Sequence, residues 1–179
     1  MRELIPITAI SWRGQNRRLR QLASRLGVSV AVLRPWPDYM RDTDTAGYYI
    51  QDKRHDIDAR LLDLSITAPA IILCDNDPEI LAHELGHHVA HLVLLSLPQH
   101  PAHRSRLRLR CTTAWDEPPL SPSLKRAAAR HGIDAYCRSC RSELYAELIG
   151  RRLLGDELTP RLRRFTARAW AELAERCAR

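Results

Sequence analysis

Residues 70–87 read Ala70-Ile71-Ile72-Leu73-Cys74-Asp75-Asn76-Asp77-Pro78-Glu79-Ile80-Leu81-Ala82-His83-Glu84-Leu85-Gly86-His87. The opening run is wholly apolar and short, which fits a buried strand. Asp75-Asn76-Asp77-Pro78 then changes the chemistry. Asp and Asn side chains accept bonds from the unpaired N–H groups that open a helix, and Pro78 suits the first helical turn. Beyond it, Ile80, Leu81, Leu85, Val89, Leu92 and Val93 recur at helical spacing. The expectation is a strand that leads straight into a packed helix of about 18 residues, ending near Pro98.

That helix carries His83-Glu84-Leu85-Gly86-His87, the pattern H-E-x-x-H. Residues four apart share a helix face at about 6 Å, so His83 and His87 can reach one metal ion. Glu84 lies about 100° further round the same turn, close enough to activate a water without being a ligand. Zinc metallopeptidases use this arrangement: two imidazoles hold Zn²⁺ and the glutamate is the general base. Zn²⁺ is the expected cofactor, and Glu84 the expected catalytic base.

A catalytic zinc keeps three protein ligands. His91 fails as the third, because eight residues of helix separate it from His83 by about 12 Å. His88 is expected to point away from the ligand face. The longer pattern H-E-x-x-H-x-x-G-x-x-H fails too, since its glycine and last histidine would fall at Ala90 and Val93. Downstream, Ser142-Glu143-Leu144-Tyr145-Ala146-Glu147 offers two carboxylates on one helix face. One can bind the metal while the other orients a ligand histidine. Spacing alone leaves Glu143 and Glu147 as equal alternatives.

Outward from these segments, Gln15 to Leu26 reads as an amphipathic helix closed by Gly27. Val28 to Leu33 reads as a strand closed by Pro35 and Pro37, and Gly47-Tyr48-Tyr49-Ile50 as another. Arg41 to Thr45 reads as a polar loop and Asp52 to Asp58 as charged and turn-like. Residues 98–135 change character, with prolines and with Arg104, Arg106, Arg108 and Arg110 in alternation. They read as a Pro/Arg-rich insertion holding a short exposed strand at Arg106 to Arg110 and a helix from Lys125 to His131. Ser142 to Leu154, stopped by Gly155, is a strong helix, and Thr159 starts a last one running through Trp170 and Leu173. The fold class expected is α+β: a small antiparallel or mixed sheet packed against the H-E-x-x-H helix and a second ligand-bearing helix, a zincin-like domain spanning 1–179.

The 179 residues suffice for one ordinary domain, and the 45% hydrophobic content fits a globular protein. The formal net charge is +7, almost all of the cation content being arginine, since only Lys53 and Lys125 are lysines. This permits an acidic or nucleic-acid partner without requiring one. Leu4-Ile5-Pro6-Ile7 is too short and proline-broken for a signal peptide, and no apolar run reaches membrane-spanning length. A cytoplasmic location with no membrane partner is expected, and the five cysteines are then reduced thiols.

Cys74-Asp75 through His83-Glu84-Leu85-Gly86-His87, set between an apolar strand and an apolar helix, resembles the ImmA/IrrE metallopeptidases. Those are compact zinc enzymes whose later helix carries E-x-x-A followed by apolar residues. Glu143-Leu144-Tyr145-Ala146, then Leu148, Leu153 and Leu154, matches that element. Leu26-Gly27-Val28 and Gly47-Tyr48-Tyr49 also look like the family's start. The likeness covers roughly residues 15–97 and 140–156. It implies Glu143 as third ligand and hydrolysis of a peptide bond in an intracellular protein substrate, such as a regulator. It leaves Glu147 to orient a ligand histidine, and Tyr145, Tyr136 or His131 as a further oxyanion donor. Two departures stand out: the stretch from His87 to Glu143 is long for the family, and Glu147 occupies a position where Asn or Asp is usual.

Cys137-Arg138-Ser139-Cys140 is a C-x-x-C that could pair with His100 and His103, or with Cys111, in a structural zinc site under the insertion. A redox pair lacks its βαβ context, and two idle thiols are the plain reading. A nucleobase deaminase is excluded by pattern. Leu22 to Ser29 resembles half of a helix-turn-helix, but Pro35 and Pro37 would cut its second helix short. The competing functions are a SprT-like zinc protease, with His100, His103 or His131 as third ligand, and a non-catalytic DNA-associated regulator that keeps only the helix.

Overall fold

The computed structural model describes residues 12–33, 46–51, 68–96 and 119–178. The expected loops at 41–45 and 52–58 and the strand at 106–110 lie outside them. The described chain is α+β, with the order α1 (Trp12–Arg25), β1 (Ser29–Val32), β2 (Gly47–Ile50), β3 (Ala70–Leu73), α2 (Pro78–Ser96), α3 (Pro122–Arg130), α4 (Arg141–Leu154) and α5 (Pro160–Ala178).

The sheet is mixed, with strand order β1-β3-β2. β1 runs parallel to β3, pairing Ser29 with Ala70, while β2 runs antiparallel, pairing Gly47 with Leu73. β3 is central, and all four of its residues are fully buried. Strand alternation divides them: Ile71 and Leu73 join the helical core, and Ala70 and Ile72 pack with Ile50 on the other face. A central strand covered on both faces has no polar face to show, which is why Ala70-Ile71-Ile72-Leu73 reads as unbroken apolar sequence.

β3 passes into α2 as the turn chemistry requires. Asp77 caps the helix: its Oδ1 accepts from the Glu79 N–H at 2.7 Å, and its carbonyl accepts from Leu81 N–H at 3.0 Å. α1 is tied to this turn through Asn16 Nδ2, which donates to the Asn76 carbonyl, and Arg20 Nη2, which lies 2.6 Å from Asn76 Oδ1. Gly27 and Gly155, both with positive φ, end α1 and α4 as their positions in the sequence suggest.

The helix at 122–130 begins three residues before the sequence expectation. Ser121 Oγ accepts from the Leu124 N–H at 3.3 Å and Pro122 takes the first turn, so a Ser-Pro pair read as part of the proline-rich excursion is a helix start. Leu120, Leu124, Ala127, Ala128 and Ile133 are buried in a core cluster with Leu144, Leu148, Leu158 and Leu162. The end of the expected 98–135 insertion is therefore core, and residues 97–118 lie outside the described chain.

The closest helix–helix approach is α2 against α4. A Cβ added at Gly86 would fall on the carbonyl and Cα of Ala146, and one at Gly150 would sit 3.0 Å from the Ala82 carbonyl carbon and the His83 nitrogen. The two backbones touch at a pair of glycines, which brings short side chains on facing turns within bonding reach of each other. Leu81, Leu85 and Val89 of α2 and Ile149 and Leu153 of α4 close the main core around that contact. Among the described residues no helix is long and apolar enough to cross a membrane.

Candidate metal centre

His83, His87 and Glu143 form a group in which one ligand atom from each lies within 4.8 Å of the others. Glu143 Oε2 is 3.2 Å from His83 Nε2 and 3.5 Å from His87 Nε2. Donors that share one ion at about 2.1 Å sit at about these separations from one another. The imidazoles are 4.9 Å apart between centroids, one helical turn up the same face. Side-chain exposures of 18–20% leave the group open to an ion yet mostly desolvated. Two nitrogens and one carboxylate oxygen are a donor set that zinc takes readily.

Glu147 does not share this position. Its Oε2 lies 3.2 Å from His83 Nδ1, the opposite side of the ring, while its Oε1 accepts from Arg151 Nε at 2.6 Å. Geometry separates the two carboxylates that spacing left equal: Glu143 faces Nε2 and Glu147 faces Nδ1 of one imidazole. A carboxylate on Nδ1–H fixes the tautomer that leaves Nε2 free to ligate.

The proton affinities follow from these contacts. Burial alone would lower the His83 pKa, but Glu143 and Glu147 outweigh it and raise the ring from 6.5 to about 10. Burial would raise both carboxyls. Hydrogen bonds from His83 and His87 hold Glu143 far below the usual carboxylate range instead, and His83 with Arg151 lowers Glu147. Without an ion, the cluster is a cation held between two anions.

Glu84 sits beside this group, 7% exposed. Burial pushes its carboxyl pKa up, while His87, His83 and a backbone hydrogen bond from Tyr49 in β2 oppose the rise. β2 comes this close because residue 47 is glycine: a Cβ there would lie 2.6 Å from Ile80 Cγ2 and 2.9 Å from Glu84 Oε1. The Gly47-Tyr48-Tyr49 strand thus packs onto the buried glutamate.

The remaining candidates separate clearly. The Tyr145 ring stacks edge-on against Phe165 at 5.3 Å, and its hydroxyl is influenced by Ala169, Arg141 and Arg168. It faces α5 and cannot serve as an oxyanion donor. Helical phase explains this, since two residues beyond Glu143 is about 200° around the helix. Tyr136, 67% exposed, stands within electrostatic reach of Glu143 and Glu84; partial burial first, then those carboxylates, push its phenol up to about 12. His131 ends α3, where its carbonyl accepts from Arg151, and it does not join the metal group. His88 points away, as expected, and His91 lies with it: the Nδ1 of each faces the Tyr49 hydroxyl, at 2.9 and 3.2 Å.

Cys137 and Cys140 do not act as a pair. Cys140 occupies the residue before α4 without capping it through its side chain, and its Sγ lies 3.2 Å from Ser142 Oγ, whereas buried Cys137 groups with His83 and Glu147. His100, His103 and Cys111 lie outside the described residues. A groove of about 650 Å³ on α1, lined by Arg13, Arg17, Arg20 and Asn76 among others, is separate from the metal group. No protein-family profile, curated protein or solved structure matches this chain.

Proposed function

We propose that the protein is a zinc metallopeptidase of zincin-like architecture, acting on peptide bonds of a protein substrate. One observation carries the reading: His83 Nε2 and His87 Nε2 converge on Glu143 Oε2 from a neighbouring helix, with Glu84 buried alongside. His83, His87 and Glu143 would hold Zn²⁺, and Glu147 would orient His83 through Nδ1. The likeness to the ImmA/IrrE metallopeptidases, through His83-Glu84-Leu85-Gly86-His87 and Glu143-Leu144-Tyr145-Ala146, supports the same assignment.

When bound, zinc supplies a Lewis acid that polarises the scissile carbonyl and acidifies water. The chain's own residues do the rest. The Glu84 carboxylate removes the proton of the attacking water and passes it to the departing amine nitrogen. Its burial raises its basicity, so it is a better proton acceptor than an exposed glutamate. Tyr136, exposed and within electrostatic reach of Glu143 and Glu84, would donate a hydrogen bond to the developing oxyanion. Arg151 holds Glu147, and Glu147 keeps the imidazole from turning.

Glu84→Gln separates binding from turnover. The variant is expected to take up as much Zn²⁺ as the parent and to cleave a denatured protein at least about 100-fold more slowly. Zinc content by atomic absorption and cleavage followed by mass spectrometry read the two quantities. Equal cleavage by the variant would remove Glu84 from the reaction. Failure of the parent to bind zinc would remove the peptidase reading as a whole.

A further inference from the structure

The His83 ring offers both nitrogens to metal-ligating groups, and the peptidase reading uses only one. Nδ1 lies 3.2 Å from Glu147 Oε2, and the thiol of Cys137 completes a triad whose ligand atoms all lie within 4.8 Å of one another. We propose that His83 Nδ1, Cys137 Sγ and Glu147 Oε2 form a second divalent-cation position, selective for thiophilic ions such as Zn²⁺ or Cd²⁺. It shares the His83 ring with the first position, and Glu147, which orients that ring when the second position is empty, becomes a ligand when it is filled. It does not require the protein to be a peptidase.

The donor set argues for the ion class. One sulfur, one imidazole nitrogen and one carboxylate oxygen suit Zn²⁺ and Cd²⁺, whereas Mg²⁺ and Ca²⁺ prefer oxygen alone. A nitrogen–oxygen separation of 3.2 Å matches two donors on one tetrahedral ion at about 2.1 Å each. Cys137 is fixed from outside the site, since Asp134 Oδ1 accepts from its N–H at 2.7 Å. The side chain is buried, with the residue only 5% exposed, in the cluster formed by α3 and α4. Its neighbour in sequence, Cys140, is turned to Ser142, so the position draws on one thiol of the C-x-x-C and not on both.

The proton balance is simple. An ion entering this position displaces the Cys137 thiol proton and the His83 Nδ1 proton, and both leave to solvent. Glu147 enters as the carboxylate and keeps Arg151 on its other oxygen. With both positions filled, His83 bridges two ions as an imidazolate. The positive charge of Arg151 makes this the weaker of the two positions.

Anaerobic titration of the reduced, metal-free full chain with Co²⁺, and separately with Cd²⁺, tests the proposal. Saturation at two equivalents is expected, together with a near-ultraviolet thiolate-to-metal charge-transfer band. Cys137→Ser should keep one equivalent and lose the band, whereas Cys140→Ser should keep both. Glu147→Ala, which leaves the buried thiol in place, should weaken the ion that produces the band at least about tenfold. Glu143→Ala should retain the band, because it alters only the first position. One equivalent with no thiolate band overturns this position and leaves the His83–His87–Glu143 position standing. A band that survives Cys137→Ser overturns it as well. No uptake of either ion overturns both.

Discussion

One helix, α2, carries two pairs of histidines that behave in opposite ways. His83 and His87 face α4, where Glu143 and Glu147 await them; His83 binds a proton well above its ordinary range, to about 10. His88 and His91 face β2, where the Tyr49 hydroxyl meets both rings. Burial first, then the nearby His91, lowers His88 to about 4; a backbone hydrogen bond at Leu26 opposes the fall and Arg176 adds to it. The residue type is the same and the positions are five apart. What differs is whether carboxylates stand opposite, as Glu143 and Glu147 do for His83, or neutral polar groups, as the Tyr49 hydroxyl and the Gln51 amide do for His91. The first environment suits a cation, whether proton or metal; the second keeps the imidazole neutral as a packing group with a polar tip.

The sharpest way to break that contrast is to remove one member of each pair. His83→Ala should lower zinc affinity by about 4 kcal/mol, nearly a thousandfold, since a few ligands share about 10–16 kcal/mol of binding. His88→Ala should leave zinc affinity within about threefold and instead cost about 2 kcal/mol of folding stability, as a buried side chain is lost. Competition titration with a chromophoric chelator and chemical denaturation separate the two readouts. Equal losses of affinity in the two variants would mean that the faces are not distinct.

Gly86→Ala tests what brings the carboxylates to the metal face. Its new methyl would meet the Ala146 backbone, which cannot yield as a flexible side chain would. A destabilisation of about 3 kcal/mol is expected, with a weaker metal site as α4 is pushed away. The His88 side should suffer no comparable change in its Tyr49 contacts. A variant as stable as the parent, with unchanged zinc affinity, would show that α2 and α4 do not meet as described.

Proton affinity gives the next contrast. In the metal-free protein His83 is protonated at neutral pH, so an ion must displace that proton, and affinity should rise about tenfold per pH unit from about pH 7 to 9. The folded-state pKa of His83 is raised, so its stabilisation is complete below 6.5 and is lost as pH climbs toward about 10. His88 has the opposite sign. Its folded-state pKa is depressed, so stability is lost as pH falls from 6.5 toward about 4. Zinc affinity that is flat from pH 7 to 9 would contradict a protonated His83 held between Glu143 and Glu147.

Sequence periodicity reaches much of this site but stops at the tertiary contacts. His83, Glu84 and His87 are legible because one helical turn sets their relation, and Asp77-Pro78 marks where that helix starts. Tyr145 was excludable by the same rule, since its phase opposes Glu143. The division of labour between Glu143 and Glu147 was not, because both lie on one face and only the close approach at Gly86 and Ala146 aims each at a different nitrogen. Cys137 escaped for a related reason. Its spacing to Cys140 suggests a pair, but the turn before α4 sends one thiol inward and leaves the other at the helix start. The Ser121-Pro122 helix start was hidden by the prolines around it.

Tyr49→Phe makes the smallest and most selective change. The hydroxyl serves the His88 side, and its loss removes hydrogen bonds to both Nδ1 atoms while keeping the ring that packs edge-on to His88 at 5.5 Å. Losing these bonds at a partly buried site should cost about 1 kcal/mol of stability. Yet the same residue's backbone bonds Glu84, on the other side of the strand–helix contact. Phenylalanine keeps that backbone, so zinc affinity and the Glu84-dependent cleavage rate should both stay within about twofold of the parent. If cleavage falls with stability, the Tyr49 hydroxyl positions α2 as a whole, and the two histidine faces are coupled through β2 rather than independent.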